Sequence, residues 1–128
     1  MEKEFIPYEQ ALQLKELGFD EPCFGYYIET GEWIPASYSR EGTVYPSNSD
    51  LLPEWISAPL YQQAFRWFRE NHKLNFECKT PDGKAGKWFP GIHKVYGFGN
   101  MFDNDGFATH EEAELACLNK LIELIKTK

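Results

Sequence analysis

Cysteine, basic charge and long apolar runs are all scarce in this chain, and each shortage excludes something. Cysteine occurs only at Cys23, Cys78 and Cys117. The number is odd, the spacing wide, and no C-x-x-C is present, which argues against a zinc knuckle or a thioredoxin-type site. Scattered cysteines of this kind suit a reducing compartment. Lys and Arg total 13 against 20 Asp and Glu, a formal charge of −7. Bulk nucleic-acid binding needs cations to displace the counterions of phosphate, and adsorption to anionic membranes needs them too, so neither is expected. No apolar run approaches the ~20 residues of a membrane span. The opening residues, MEKEFIP, lack the basic-then-apolar order of a signal peptide. These absences together point to a cytoplasmic protein.

What is present in excess is aromatic: 10 Phe, 7 Tyr and 4 Trp in 128 residues, 16% of the chain. Aromatic side chains bury a large area each and dominate cores and interfaces. A chain of this length can hide some of them, so the remainder are expected to line a groove or a partner surface. The length itself fits one domain over residues 1–128 and needs no disulfide or metal to hold a core.

The punctuation of the chain predicts its elements. A first helix over 7–17 starts at Pro7, buries Tyr8, Ala11, Leu12 and Leu14 and stops at Gly18, with Phe19 folding back on its last turn. Residues 23–29, CFGYYIE, read as an aromatic strand before the turn at Thr30-Gly31. One or two short strands are expected within 32–45 around a loop at 37–42, and 46–53 reads as a surface loop. A second helix is expected with Ser57 as cap and Pro59 in its first turn, its body running to about residue 72. Its stripe of Tyr61, Ala64, Phe65 and Phe68, widened by Leu60 and Trp67, falls at i, i+3, i+4 and i+7.

A hairpin follows. Residues 74–80 alternate apolar and polar, Pro81-Asp82-Gly83 forms the turn, and the return strand covers 87–98, with Pro90 marking an edge strand or a bulge. The last helix begins at the cap Thr109, with Glu112 completing a capping box. Ala113, Ala116, Cys117, Leu121 and Leu124 make its apolar stripe, broadened by Leu118 and Ile125. The fold class is therefore α+β: a mostly antiparallel sheet of about four to five strands with three helices.

Chemistry-bearing patterns are sparse. In MFDNDGFATHEE, residues 101–112, Asp103, Asp105, Gly106 and Glu112 fall on positions three, five, six and twelve of a calcium loop. Position one is Met101, which offers no hard oxygen, and a turn followed by a helix cap explains the same residues. No metal or cofactor is expected. YGFGN at 96–100 lacks the third glycine of a dinucleotide fingerprint. PDGKAGK at 81–87 lacks the phosphate-loop spacing and its Ser or Thr. The three histidines are not at metal-ligand spacing. Cys78 and Cys117 sit in apolar patterns that suit core rather than nucleophile. A partly basic, aromatic set remains: Arg66 and Arg69 on the second helix, and Trp88, His93, Lys94 and Tyr96 on the hairpin. Arginine and aromatic planes together can hold a base and its phosphate.

From Ser57 onward the order helix, two or three strands, helix resembles the double-stranded RNA-binding domain. That family holds phosphate with lysines at the start of its last helix. This chain has His110, Glu111 and Glu112 there, so the RNA function does not carry over. Three segments, EFIPYEQALQLKELGFDEPCFGYY, ISAPLYQQAFRWFRENHKL and THEEAELACLNKLIELIK, resemble a group of small phage and prophage proteins of Bacteroidota. That resemblance covers about half the chain and implies a protein made in the host cytoplasm, without implying an activity. The expectation is a non-enzymatic binding protein that uses an aromatic-rich surface on a host protein or by self-association. The alternatives are a small-ligand, nucleotide-like binder or sequestering anti-defence protein, and a small hydrolase using a histidine with an acid or a thiol.

Overall fold

Pro7 opens the first helix and Gly18 closes it. In the computed structural model, which describes residues 4–36, 38–39, 42–43, 45–79, 87–95 and 99–127, Pro7 is the extended N-cap of α1, Tyr8–Glu16. Gly18 takes φ +100°, so the Phe19 N–H reaches back to the Leu14 carbonyl and the Gly18 N–H to that of Lys15. This is the Schellman arrangement, with apolar Phe19 and Leu14 both buried. α1 buries Gln10, Ala11 and Leu14. Leu12, expected on the apolar face, is exposed, because it lies one helical step off the Ala11–Leu14 line.

The chain forms two compact units, Met1–Gln63 and Ala64–Lys128. In the first, β1 (Gly25–Tyr27) is the central strand of an antiparallel sheet of three, between β2 (Trp33–Pro35) and a short C-terminal partner, Ile56–Ser57. Tyr38–Ser39 (β3) and Gly42–Thr43 (β4) pair as a separate ladder within 32–45, where one or two short strands are expected, with β3 falling inside the loop expected at 37–42. Ile56–Ser57 is β5. Ser57 was expected to cap the second helix. It pairs instead with Tyr26, and its N–H donates to the Asn48 side chain. The stretch 46–53, expected to be loop, holds a single 3-10 turn over Asn48–Asp50, closed by a capping box between Ser47 and Asp50.

One face of this three-stranded sheet is covered by the N-terminal segment. The Tyr27 hydroxyl donates to the Ile6 carbonyl at 2.7 Å, and Tyr8 meets Tyr27 edge-on. Phe5 packs on Trp33, whose indole lies flat on Gly25: a Cβ there would come within 2.5 Å of the ring. Ile6 N–H bonds to the Pro59 carbonyl and Phe5 bridges to Leu60, which ties the chain start to the segment after β5.

The second helix, α2, is Tyr61–His72. Its expected stripe is buried at Tyr61, Ala64, Phe65, Trp67 and Phe68, while Gln62, Arg66, Arg69 and Glu70 are exposed. Lys73 follows at φ +57°, a left-handed stop made without glycine. The second unit then forms the hairpin β6 (Leu74–Lys79) and β7 (Phe89–Lys94). The register is unbroken from Leu74↔Lys94 to Lys79↔Phe89, so Pro90 sits in an edge strand and not at a bulge. β7 ends at Lys94, earlier than the expected 98. The predicted turn at 81–83 and Tyr96 lie outside the described residues.

Residues 99–107 run beside the open edge of β7 without becoming a strand. Trp88 and Phe107 exchange two backbone hydrogen bonds, and Met101 N–H donates to the Ile92 carbonyl. Between these points two asparagine side chains bond in place of backbone. Asn100 accepts from the N–H groups of Ile92 and Phe102. Asn104 donates to the Pro90 carbonyl and accepts from Gly106 N–H. Finally α3, His110–Lys126, begins at Thr109, whose hydroxyl accepts from Glu112 N–H at 3.1 Å. Its buried stripe is Ala113, Cys117, Leu118, Leu121 and Ile122, rotated slightly from the expected one. The fold is α+β as expected: the described residues form three helices and antiparallel strands shared among separate sheets.

Candidate functional site

Strand alternation fixes what the first sheet shows on its other face. Gly25 and Tyr27 point to the face covered by the N-terminal segment, so Phe24 and Tyr26 point the opposite way, and Ile34 lies beside Tyr26 across the β1–β2 pair. Phe24 is 53% exposed and meets Tyr45, itself 47% exposed, edge-on at 5.5 Å. Tyr26 stacks on Trp55 with ring centres 5.3 Å apart and planes 22° from parallel. The Trp55 indole N–H donates to the Glu29 carboxylate at 2.7 Å. Two aromatic pairs thus stand side by side, one at Tyr26 of β1 and one at Phe24 just before it, with a carboxylate anchored at one end.

This face is held in place from below and from the side. The Lys15 ammonium donates to the carbonyls of Pro53 and Trp55, which fixes the segment that carries Trp55. Cys23 N–H donates to the Pro46 carbonyl, which brings Tyr45 to Phe24. The Asn48 side chain bridges the Phe19 carbonyl and Ser57 N–H. These contacts pin the segments that carry the rings, and packed aromatic side chains have little conformational entropy to lose on contact.

The residues expected to hold a ligand are distributed differently. Arg66 and Arg69 lie on the exposed side of α2. Trp88 is half-buried and meets the His110 ring edge-on at 4.9 Å. His93 is already engaged through both ring nitrogens, with Nε2 3.4 Å from Glu77 and Nδ1 3.0 Å from the Gly99 carbonyl. Lys94 is exposed and, by alternation, points to the opposite face of β7 from His93. Tyr96 is outside the described residues. The set is therefore split by the pleat of β7 and partly committed to internal contacts.

The acidic loop is likewise occupied with its own structure. The Phe107 carbonyl, which a calcium loop would turn to the ion, accepts from Trp88 N–H. Asp103, Asp105 and Glu112 are exposed, and among the described residues no three His, Cys, Asp or Glu side chains converge as metal ligands would.

The thiols are poor nucleophiles. Burial pushes the Cys23 thiol up to about 12, raises Cys117 further with help from nearby Cys78 and Glu114, and raises Cys78 as well. A nucleophilic thiol requires the opposite shift. Glu114 is also raised, chiefly by burial and partly opposed by His110, whose Nδ1 lies 3.3 Å away.

No protein-family profile, curated protein or solved structure matches this chain. No helix among the described residues is long and apolar enough to cross a membrane.

Proposed function

We propose that this chain is a non-enzymatic binding protein whose working surface is the aromatic face formed by Phe24, Tyr26, Tyr45 and Trp55. The observation that carries the reading is the Phe24–Tyr45 pair: two large rings packed on each other and each about half exposed. Rings left in water on a rigid sheet gain by meeting a partner, and contiguous exposed apolar groups mark such surfaces. The partner is a host protein or a second copy of the chain. The resemblance of three segments to small phage and prophage proteins supports the first of these, in a host cytoplasm. A nucleotide-like ligand has less support, because Trp88 and His93 are held by His110, Glu77 and the Gly99 carbonyl.

The test is a Phe24→Ser/Tyr45→Ser double variant. Both side chains are about half exposed and neither belongs to the buried core, so its melting temperature should stay close to that of the wild type. Affinity capture from a bacterial lysate and sedimentation velocity should both be run on the pair of proteins. The reading predicts that a bound protein, or a concentration-dependent dimer, disappears in the variant. If everything the wild type captures is captured equally by the variant, the aromatic face is not the working surface.

A further inference from the structure

The charge of the chain is unevenly placed. Residues 1–63 carry eleven acids and three bases, a net of −8, whereas 64–128 carry nine acids and ten bases, a net of +1. The two segments that build the aromatic face, 23–36 and 45–57, contain Glu29, Glu32, Asp50 and Glu54 and no Lys or Arg. All four acids are exposed. Lys15, the one described base of the first unit, has its ammonium turned onto the carbonyls of Pro53 and Trp55. The segments that carry the aromatic face are thus acidic, and Glu29 lies at the rings themselves.

Resting on the reading above, we infer that the occupant of this face is an arginine-bearing, basic peptide segment of another protein. The chemistry of the face selects it. A ring presents its negative quadrupole to a cation stacked on it. A guanidinium stacks flat on indole and phenol rings better than an ammonium and also bonds a carboxylate edge-on. The Tyr26–Trp55 stack with Glu29 at its end offers both partners at once: a plane to lie on and a charge to meet. The Phe24–Tyr45 pair, one pleat away on the same face, takes the apolar stem or a neighbouring side chain. The same charge disfavours the other occupants. A second copy would bring −8 against −8, and like charges across an interface oppose association. Nucleic acid or a nucleotide would bring phosphate to carboxylates.

The experiment uses the full chain and a short fluorescein-labelled peptide of alternating arginine and glycine. Companion peptides carry lysine, glutamine or glutamate in place of arginine. Anisotropy should show the arginine peptide binding, the lysine peptide weaker, and the glutamine and glutamate peptides not at all, with binding falling as salt rises. Glu29→Gln keeps an acceptor for the Trp55 N–H while removing the charge. It and Phe24→Ser should each weaken the arginine peptide by about tenfold. The inference is overturned if the glutamine peptide binds as well as the arginine peptide, or if Phe24→Ser and Glu29→Gln bind like the wild type. If no peptide binds while the Phe24→Ser/Tyr45→Ser variant still loses a captured protein, the face is a binding surface and its basic specificity is wrong. If neither signal exists, both readings fall.

Discussion

Glu114 stands where two influences meet. It is four residues after His110 on α3, and the imidazole favours its ionised form, while burial against the hairpin disfavours it and wins. Its folded value is therefore raised above the ordinary 4.5. Between those two values the folded chain holds a proton that the unfolded chain has lost. The proton makes folding more favourable on the acid side of that window, and the contribution is lost as pH rises through the folded value. Glu114→Gln removes the titration. The difference in urea midpoint between variant and wild type should move in the variant's favour as pH rises from 4.5 upward, then level off. A difference independent of pH would mean that burial does not govern this carboxylate. Asp20 has the reverse sign: the Ser49 N–H that it accepts lowers it, so its contribution is lost as pH falls. The thiols belong to the same account, because the apolar surroundings that raise Glu114 also keep Cys117 and Cys78 protonated.

At the scale of elements, the segment 99–107 shows how side chains can replace a strand. β7 needs partners on its open edge, and the Ile92 N–H finds one in the Asn100 side chain at 2.9 Å. The same amide also accepts from Phe102 N–H and donates to the Phe102 carbonyl. Asn100→Ala should cost about 1–3 kcal/mol, because it leaves the N–H of a fully buried residue, Ile92, without its acceptor. Asn100→Asp keeps the acceptor and should cost less. Equal urea midpoints for the alanine variant and the wild type would show that water takes over the role. Local signals made some elements readable in advance. Thr109 with Glu112 marked the start of α3, Pro7 and Gly18 bounded α1, and the spacing of Ala64, Phe65 and Phe68 gave the buried side of α2. The failures arose where a distant residue decided the outcome. Ser57 looks like a helix cap, but Asn48 and Tyr26 hold it in a strand. Lys73 adopts a left-handed conformation that its type does not advertise. The aromatic face was legible only as an excess of rings. Which rings face outward depends on Phe5 and Tyr8, which cover Trp33 and Tyr27 from far up the chain, and so leave Phe24 and Tyr26 to the other side. Alternation around Gly25 was the available signal, since a bare Cα between two aromatics marks the side on which another ring must lie close.

Across the whole molecule, charge separates what the composition averages. A formal −7 reads as mildly acidic, yet it is the sum of a first unit at −8 and a second near neutrality. Exposed like charges within about a Debye length repel, and salt screens them. The first unit should therefore be the one that salt stabilises. It carries eleven carboxylates against three bases, whereas the second unit has nearly balanced charges and local pairs such as Lys120 with Glu123, which salt weakens slightly. Hydrogen exchange read by peptide mass resolves the two units within one experiment. Raising sodium chloride from about 20 mM to about 300 mM shortens the Debye length several-fold, and it should increase protection of the β1, β2 and β5 amides while leaving those of β6, β7 and α3 nearly unchanged. Equal gains in both units would mean that salt acts through general surface exclusion and not through this charge division. A basic partner peptide should mimic salt on the first unit only, because it neutralises the same carboxylates by contact. Protection gained on peptide addition should therefore shrink as salt is raised, and a gain insensitive to salt would locate the recognition in the rings alone.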